Sequence, residues 1–533
     1  MNGWKPCRNK TGMNQTPARS AYPVLAIVAL VVLVPMLSLI SISSSAGDDM
    51  VFWQSSYLRR VLFFSLWQAF LSTLLSVGFA LLVSRAFFQL GDFPFRNLLL
   101  RLFGIPLVVP AVVAVLGVVT VYGSQGWIPL GRDLYGLNGI LLAHLFFNLP
   151  LAVRLLLPAW LAIPRQHWQL GEQLRFNQWQ KWKHLEWPAL AESLPGVILL
   201  IFMLCLTSFA VVLTLGGGPK STTLEVAIYQ SLRFDFDPAR AVVLALLQFS
   251  LCVLVALLSL RFHKLPEVEI TQSTPAKSQR GRPQWLNAII VFAAAIFVIM
   301  PMLAMFIDAF TGPILSVLGD ANLWQSAAYS LIIGLSTAVL SVSAAWLLLR
   351  TSSDLAFANK NRAATTFELA GQVVYVVPPL VIGTGLFVLI APYFDVFDWA
   401  IPIVILINAM MALPFAIRTL GPAMRQNKAR YQRLCQGLDI SGWHRFKIID
   451  WPILRKPVGL AAALATALAM GDLGVIALFG TPETTTLPLY LYHQLGAYLM
   501  SEAAVTAAFL LCFCLGVFWL LENLIGGCRD VTN

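Results

Sequence analysis

Leu174-Arg-Phe-Asn-Gln-Trp179-Gln-Lys-Trp-Lys183-His-Leu-Glu186-Trp187-Pro188-Ala-Leu190 occurs a second time, in related form, later in the chain. The second copy reads Leu438-Asp-Ile-Ser-Gly-Trp443-His-Arg-Phe-Lys447-Ile-Ile-Asp450-Trp451-Pro452-Ile-Leu454. Around it, Leu149 to Leu190 aligns on Leu413 to Leu454 at a shift of 264 residues without a gap, with 14 of 42 positions identical. That period is too long for a solenoid repeat and fits two fused half-molecules. Residues kept in step across the halves are therefore expected to do one job twice.

The stretches between these copies settle the fold class. The 533 residues are 58% hydrophobic and 11% charged, against about 25% charged in globular chains, and mean hydropathy is +0.76. Twelve apolar runs have spanning length: 23–42, 61–83, 102–122, 137–160, 194–214, 241–260, 286–307, 327–349, 369–392, 399–420, 457–478 and 503–525. Each approaches the roughly 20 residues a helix needs to cross a bilayer. The expected fold is all-α, a polytopic membrane protein of about 12 helices in two homologous halves. A second pair of runs supports the repeat at a shift of 265: Ser65 with Ser330, Ser76 with Ser341, Val77 with Val342, Ala80 with Ala345 and Arg85 with Arg350.

The net charge of +11 raises the question of nucleic acid, and the charge distribution answers it. With the N-terminus in the cytoplasm and the sides alternating, only Arg59, Arg60, Arg132, Lys220, Arg233 and Arg240 of the 36 Lys and Arg lie outside. That asymmetry orients a membrane protein, with both termini cytoplasmic, and leaves no single basic patch for nucleic acid. The first apolar run follows Lys5, Arg8, Lys10 and Arg19, and Ser44-Ser45-Ala46 resembles a cleavage site. The run exceeds a signal-peptide h-region, so an uncleaved first span is expected. Cys205, Cys252, Cys512 and Cys514 fall in spans and Cys7, Cys435 and Cys528 in the cytoplasm, a placement that gives neither a disulfide framework nor a metal site.

The expected organisation is a tail (1–20), a first span with its external segment (21–57), a first transmembrane domain (58–260) and a polar linker (261–285). A seventh span with its external segment (286–324), a second domain (325–525) and a short tail (526–533) complete it. Pro106 and Pro110 in span three, and Pro378 and Pro379 in span nine, predict kinks or breaks, whether for a pathway or for packing. Gly216-Gly-Gly-Pro-Lys220-Ser221 superficially resembles a phosphate loop, but it lacks the glycine before Lys and follows a membrane helix, so it reads as an external turn.

In each copy of the repeated segment a capping residue, Asn177 or Ser441, stands two places before the repeated Trp. Pro188 or Pro452 is expected to limit the helix at its other end, after about ten residues. Leu170 and Leu174, matched by Leu434 and Leu438, lie on the turn upstream. Trp179 with Lys183, and Trp443 with Lys447, share a face. Insertion of this helix into a groove on a cytoplasmic partner suits the pattern; an interfacial helix lying on lipid is the alternative. The remaining repeated positions are Glu186 with Asp450, Trp187 with Trp451, and the prolines.

These segments resemble the cytoplasmic loop of type I ABC-importer permeases, whose motif opens Glu-Ala-Ala, has Gly six residues after the Glu, and closes Ile-x-Leu-Pro. Here the opening triplets are Gln169-Leu170-Gly171 and Arg433-Leu434-Cys435, and Arg175 and Asp439 hold the glycine position. The close is kept as Leu185-x-Trp187-Pro188 and Ile449-x-Trp451-Pro452. Further stretches extend the resemblance to the fused two-half permeases of bacterial thiamine ABC transporters. They are Gly216-Gly-Gly-Pro219, Glu225-Val-Ala-Ile-Tyr-Gln230, Phe236-Asp-Pro-Ala-Arg240, Gly471-Asp-Leu-Gly-Val-Ile-Ala-Leu-Phe-Gly480 and Leu487-Pro-Leu-Tyr-Leu-Tyr492.

That resemblance implies a bacterial inner-membrane protein that docks a cytoplasmic ABC ATPase homodimer on its two coupling helices. It also implies a periplasmic thiamine-binding protein and import of thiamine and its phosphate esters. It implies no cofactor and no catalytic residue. Ferric-iron permeases share the two-half plan, so iron or another small solute is the alternative cargo. A secondary transporter would carry more titratable groups near the midplane, and a membrane enzyme would show a catalytic cluster, which the six His and sparse acids do not form. On the substrate path the expected residues are Asp472 in span eleven and its counterpart Ser208. An intramembrane acid defaults to a functional reading, and a helix-to-helix hydrogen bond is the alternative. Tyr229, Tyr490, Tyr492 and Tyr498 either receive substrate or belong to an interfacial aromatic belt.

Overall fold

The computed structural model describes residues 21–45, 55–124, 126–129, 134–261, 284–357, 360–440 and 442–527, and among them there is no strand. The expected N-terminal tail, most of the linker, Ala46 of the cleavage-like site, Arg132, Ser441, Cys7 and Cys528 lie outside the described residues.

In the first half the helices are α1 (Ala21–Ser45), α2 (Ser56–Leu90), α3 (Arg96–Leu102), α4 (Ala111–Tyr122), α5 (Leu137–Leu161), α6 (Arg165–Gln173), α7 (Gln178–Leu206), α8 (Phe209–Leu215), α9 (Leu224–Arg233) and α10 (Pro238–Leu260). The second half has α11 (Gln284–Thr311), α12 (Ile314–Leu318), α13 (Ala321–Phe357), α14 (Asn361–Gln372), α15 (Pro379–Ile390), α16 (Ala400–Gly437), α17 (Gly442–Met470), α18 (Gly474–Phe479), α19 (Leu487–Gly496) and α20 (Met500–Gly526). Ten of these are long and apolar enough to cross a membrane. The chain is a multi-pass, all-α membrane protein.

The remaining two expected spans, 102–122 and 369–392, are not single helices. Each is a helix, a 3-10 turn (Ile105–Leu107 or Val373–Val376) and then a 12-residue helix capped by Pro110 or Pro378. At 1.5 Å per residue, 12 residues rise only about 18 Å. Val109, Pro110, Val377 and Pro378 are buried, so the interrupted backbone is shielded by protein, as membrane depth requires.

The halves interlock. α1 packs on α15 and α13 of the other half, and α11 packs on α2 and α4 of the first. In both places a glycine lets backbones meet. A Cβ on Gly117 of α4 would lie 2.6 Å from the Pro301 carbonyl oxygen of α11, and one on Gly385 of α15 would lie 2.5 Å from Pro35 Cβ and 2.8 Å from its carbonyl oxygen, on α1. Small residues at such crossings are how membrane helices associate without a hydrophobic drive. Gly117→Ala and Gly385→Ala are each expected to cost about 1–3 kcal/mol by overpacking, read as a lowered melting temperature in detergent. Gly78→Ala, where a Cβ meets nothing within 4 Å, is the neutral control.

The serines that kept step in the sequence do the same work twice. Ser65 Oγ accepts from Leu224 N–H at 2.9 Å and Ser330 Oγ accepts from Leu487 N–H at 2.8 Å. Each bond ties the first N–H of a short helix, α9 or α19, to a long span. An otherwise orphaned N-terminal donor is thereby satisfied inside apolar surroundings.

Candidate functional site

The repeated segments are built by the same local bonds, reached by different routes. In the first half Pro164 separates α5 from α6; Lys428 stands at the matching place, and α16 runs on unbroken for 38 residues. Both routes end in one turn. Phe176 N–H donates to the Gly171 carbonyl at 2.8 Å and Ile440 N–H to the Cys435 carbonyl at 2.9 Å. Those six-to-one bonds mark a Schellman-type helix end. The residue inside each is left-handed, Arg175 and Asp439, both with φ 53°. These occupy the motif's glycine position, so the turn is kept although glycine is not. A Cβ on Gly171 would lie 3.1 Å from Leu185 and 3.4 Å from Phe176, which fixes the turn against the helix that follows.

Asn177 caps that helix as the sequence predicts. Its Oδ1 accepts from Gln180 N–H at 2.8 Å while Gln180 Oε1 accepts from Asn177 N–H at 2.9 Å, a reciprocal capping box. The matching Ser441 is outside the described residues.

The prolines do not end the helices. α7 and α17 continue through Pro188 and Pro452 into the membrane. Directly before them, Trp182–Glu186 and Phe446–Asp450 form a π turn, with Trp187 N–H donating to the Trp182 carbonyl and Trp451 N–H to that of Phe446. A wider turn shifts the bonding register and accommodates a residue that lacks an N–H and crowds the carbonyl four places back. The repeated segment thus runs without a break into a spanning helix.

The exposed faces of the two copies match. Trp179 is 69% exposed and Trp443 71%; Leu170 and Leu434 are both 53%. Leu174, Leu438, Lys183, Lys447, Trp187, Trp451, Pro188 and Pro452 are exposed as well. Trp443 stacks on Phe446 at 5.0 Å. Three residues after each exposed Trp, Trp182 and Phe446 are half-buried, packing on Trp160 and Trp346 respectively. This inward anchor was missed in the sequence, where its signal was an aromatic at both copies three places after the Trp.

The acids also face inward. Glu186 is 2% exposed, and its carboxylate pairs with Arg85 of α2: Nη2 donates to Oε1 at 3.1 Å, and Nε lies 2.9 Å from Oε2 as an ion pair. The same guanidinium lies 5.2 Å from the Trp182 ring centroid. Asp450, a methylene shorter, accepts from Asn427 Nδ2 at 2.8 Å and pairs with Arg445 at 3.4 Å. Both acids hold the segment to its own half.

Ser208 and Asp472 stand at a second pair of breaks, where α7 gives way to α8 and α17 to α18. Asp472 Oδ1 accepts from Gly474 N–H at 3.1 Å and Oδ2 from Val475 N–H at 3.2 Å, capping α18. Ser208 makes no side-chain cap. The breaks meet between the halves: a Cβ on Gly474 would lie 3.6 Å from Phe209 and one on Gly471 3.3 Å from Pro110. Tyr229 is buried with its ring edge-on to Phe209 at 5.4 Å, whereas Tyr498 is fully at the surface. Nearby, Arg233 of the first half donates to the Gly480 carbonyl of the second at 2.9 Å and lies 5.2 Å from the Phe397 ring centroid. That cross-half tie had no signal in the repeat. Among the described residues no group of three His, Cys, Asp or Glu is placed to hold a metal ion.

No family model matches the chain and no solved structure matches it. Curated relatives do. The thiamine transport system permease protein ThiP of Brucella abortus is 43% identical over 482 residues, covering 88% of each chain. ThiP of Escherichia coli K12 is 43% identical over 491 residues, 90% of this chain and 91% of that one. The sulfate transport system permease protein CysW of E. coli is 23% identical over 288 residues, 48% of this chain but 96% of its own. A whole permease of that kind therefore corresponds in length to about half of this one.

Proposed function

We propose, for a chain that belongs to the family of thiamine transport system permeases, that it is the membrane-spanning subunit of an ABC importer for thiamine and its phosphate esters. It lies in the bacterial inner membrane with both termini cytoplasmic, and 58–260 and 325–525 are its two transport domains. A cytoplasmic ATPase homodimer grips the two exposed Leu-Trp ridges, and a periplasmic thiamine-binding protein delivers cargo to the opposite end. The observation that carries this reading is the matched pair of ridges, Leu170, Leu174 and Trp179 against Leu434, Leu438 and Trp443, exposed in both halves with their inward anchors Trp182 and Phe446 half-buried.

The mechanism follows from the continuity of α7 and α17 with these ridges. When ATP closes the ATPase dimer, the ridges are drawn together, and each carries its spanning helix with it rather than flexing at the proline. The breaks at Ser208 and Asp472 lie at the far ends of those same helices, so their displacement parts the halves where Phe209 and Gly474 meet. Hydrolysis returns them. The permease breaks no bond; it shifts between two packings biased by its partner.

Asp472 is assigned to the path as a fixed negative charge, its two cap bonds holding the carboxylate at the break while thiamine's ring cation passes. Reconstitution with the ATPase and binding protein in liposomes is expected to give ATP-dependent uptake of labelled thiamine; absence of uptake by a folded complex overturns the function. In the same liposomes Asp472→Asn, which keeps the shape and one of the two cap bonds, is expected to lower uptake about tenfold, roughly 1.4 kcal/mol. Unchanged uptake would reduce Asp472 to a cap.

A further inference from the structure

At the end opposite the ridges, two short helices cross from one half to the other. α9 and α19 begin alike, at Thr223-Leu224 and Thr486-Leu487, and the bonds from Ser65 and Ser330 pin each N-terminus to a long span of its own half. Each helix then lies on the interrupted span of the opposite half, α9 on α15 and α19 on α4. α9 also packs on α18, the helix that Asp472 caps. The halves are thus strapped together crosswise on this side.

Only one strap carries a cation at its tip. Nine residues after the paired leucines, α9 has Arg233 and α19 has Gly496, where a Cβ would meet nothing within 4 Å. Tyr229 and Arg233, four residues apart, share a face of α9, and Tyr229 meets Phe209 at the break between the halves. Arg233 is half-buried; its Nη2 donates to the Gly480 carbonyl at 2.9 Å and its guanidinium lies 5.2 Å from the Phe397 ring centroid. Gly480 directly follows α18, and Phe397 lies in the connection after α15. One side chain therefore holds two elements of the opposite half. Burial, and then this guanidinium, keep the His493 imidazole of α19 below its ordinary range, so His493 adds no second cation there at neutral pH. Among the described residues no carboxylate pairs with Arg233. A carbonyl and a ring hold a cation less firmly than a buried carboxylate would, which suits a contact made and broken in each cycle.

We propose that Arg233 is the latch of an external gate, tying α9 to Gly480 and Phe397 while the halves are closed on this side and letting go when they part. The latch rests on the alternating mechanism proposed above. It leaves α18 held at both ends, by Asp472 at its start and by Arg233 at its finish, so the break beside Phe209 stays shut until Arg233 releases. Arg233 is thus a positioning residue: it sets how readily the outer side opens and does not touch cargo.

The test is the ATPase rate of the permease–ATPase complex in nanodiscs, measured without binding protein or thiamine. Loss of a bond from a charged donor is expected to raise this basal rate about tenfold in Arg233→Ala. Loss of the ring contact alone is expected to raise it about threefold in Phe397→Ala. Arg233→Lys, which keeps the charge and a donor, should recover most of the restraint, and Arg60→Ala, an exposed arginine on the same side, should leave the rate unchanged. In liposomes with the binding protein, Arg233→Ala should spend more ATP per thiamine imported, a ratio that loss of folded protein does not move. A basal rate for Arg233→Ala at the wild-type level overturns the latch, as does an equal rise in Arg60→Ala, which would trace the effect to external charge in general. Should Arg233→Ala fail to assemble, Phe397→Ala decides, and an unchanged rate overturns the latch. A complex that responds as expected but imports no thiamine refutes the cargo alone; a permease that captures no ATPase overturns the mechanism and the latch with it.

Discussion

Trp179→Ala together with Trp443→Ala is expected to cut ATP-driven thiamine uptake at least about a hundredfold while the permease still folds and reaches the membrane. Both indoles are some 70% exposed, so truncation removes little from the protein's own core, chiefly the stacking of Trp443 on Phe446. At an interface centre a Trp is among the residues whose truncation costs 2 kcal/mol or more, and about 2.7 kcal/mol is already a factor of a hundred. In the proposed function two such anchors act on one ATPase dimer, so each single variant should lose ATPase capture partially and the double variant almost wholly. Capture on beads, ATPase activity and uptake in liposomes, normalised to permease in the membrane, read the three levels separately. Trp182→Ala is the contrasting variant: it removes an inward anchor packed on Trp160 and Trp187 and should lower the melting temperature, which Trp179→Ala should not. Near-normal capture and uptake by the double variant would mean that the ridges face lipid rather than a partner.

The duplicated plan was legible because membrane helices declare themselves by length and apolarity, and because the repeat kept cap, Trp, Lys, acid, Trp and Pro at constant spacing. Pro106, Pro110, Pro378 and Pro379 correctly announced the breaks, since no compensation for a lost N–H is available in lipid except through neighbouring protein. The same rule misled at Pro188 and Pro452. Nothing in their sequence marks the π turn that absorbs each proline, because the accommodation lies in backbone register and not in residue type. Arg175 and Asp439 conceal the shared turn for a related reason: a left-handed residue is disfavoured but permitted when both flanking bonds enforce it. The sequence groups Glu186 with the partner-coupling positions of the repeat, and only its packing against α2 shows it to be internal. Arg233 ties the halves where they differ, so a reading built on what they share could not reach it.

Breaking the Arg85–Glu186 pair from one side is expected to have the second large effect. The carboxylate is 3% exposed and the guanidinium 16% at their side chains, and an ion-pair contact at 2.9 Å and a hydrogen bond at 3.1 Å meet on one acid. Removing one member of such a pair takes this counterion from a buried charge, which costs about 3–5 kcal/mol, whereas replacing both by apolar groups is far milder. Arg85→Met and Glu186→Met should each lower the melting temperature sharply and abolish uptake, and the double Met variant should recover much of the stability. Uptake decides what the pair is for. Arg85 joins α2 to the π turn directly beneath the Trp179 ridge, so if the pair is a positioning device the stable double variant should still transport poorly, its ridge no longer fixed to its half. Arg350 supplies the internal control: it holds the position matching Arg85 but is exposed, and Asp450 is held instead by Asn427 and Arg445. Arg350→Met should therefore leave stability and uptake near normal, and Asn427→Ala should carry the larger cost in that half. Equal sensitivity of Arg85 and Arg350 would contradict the asymmetry, because it would require the two matched arginines to do the same work through contacts that only one of them makes.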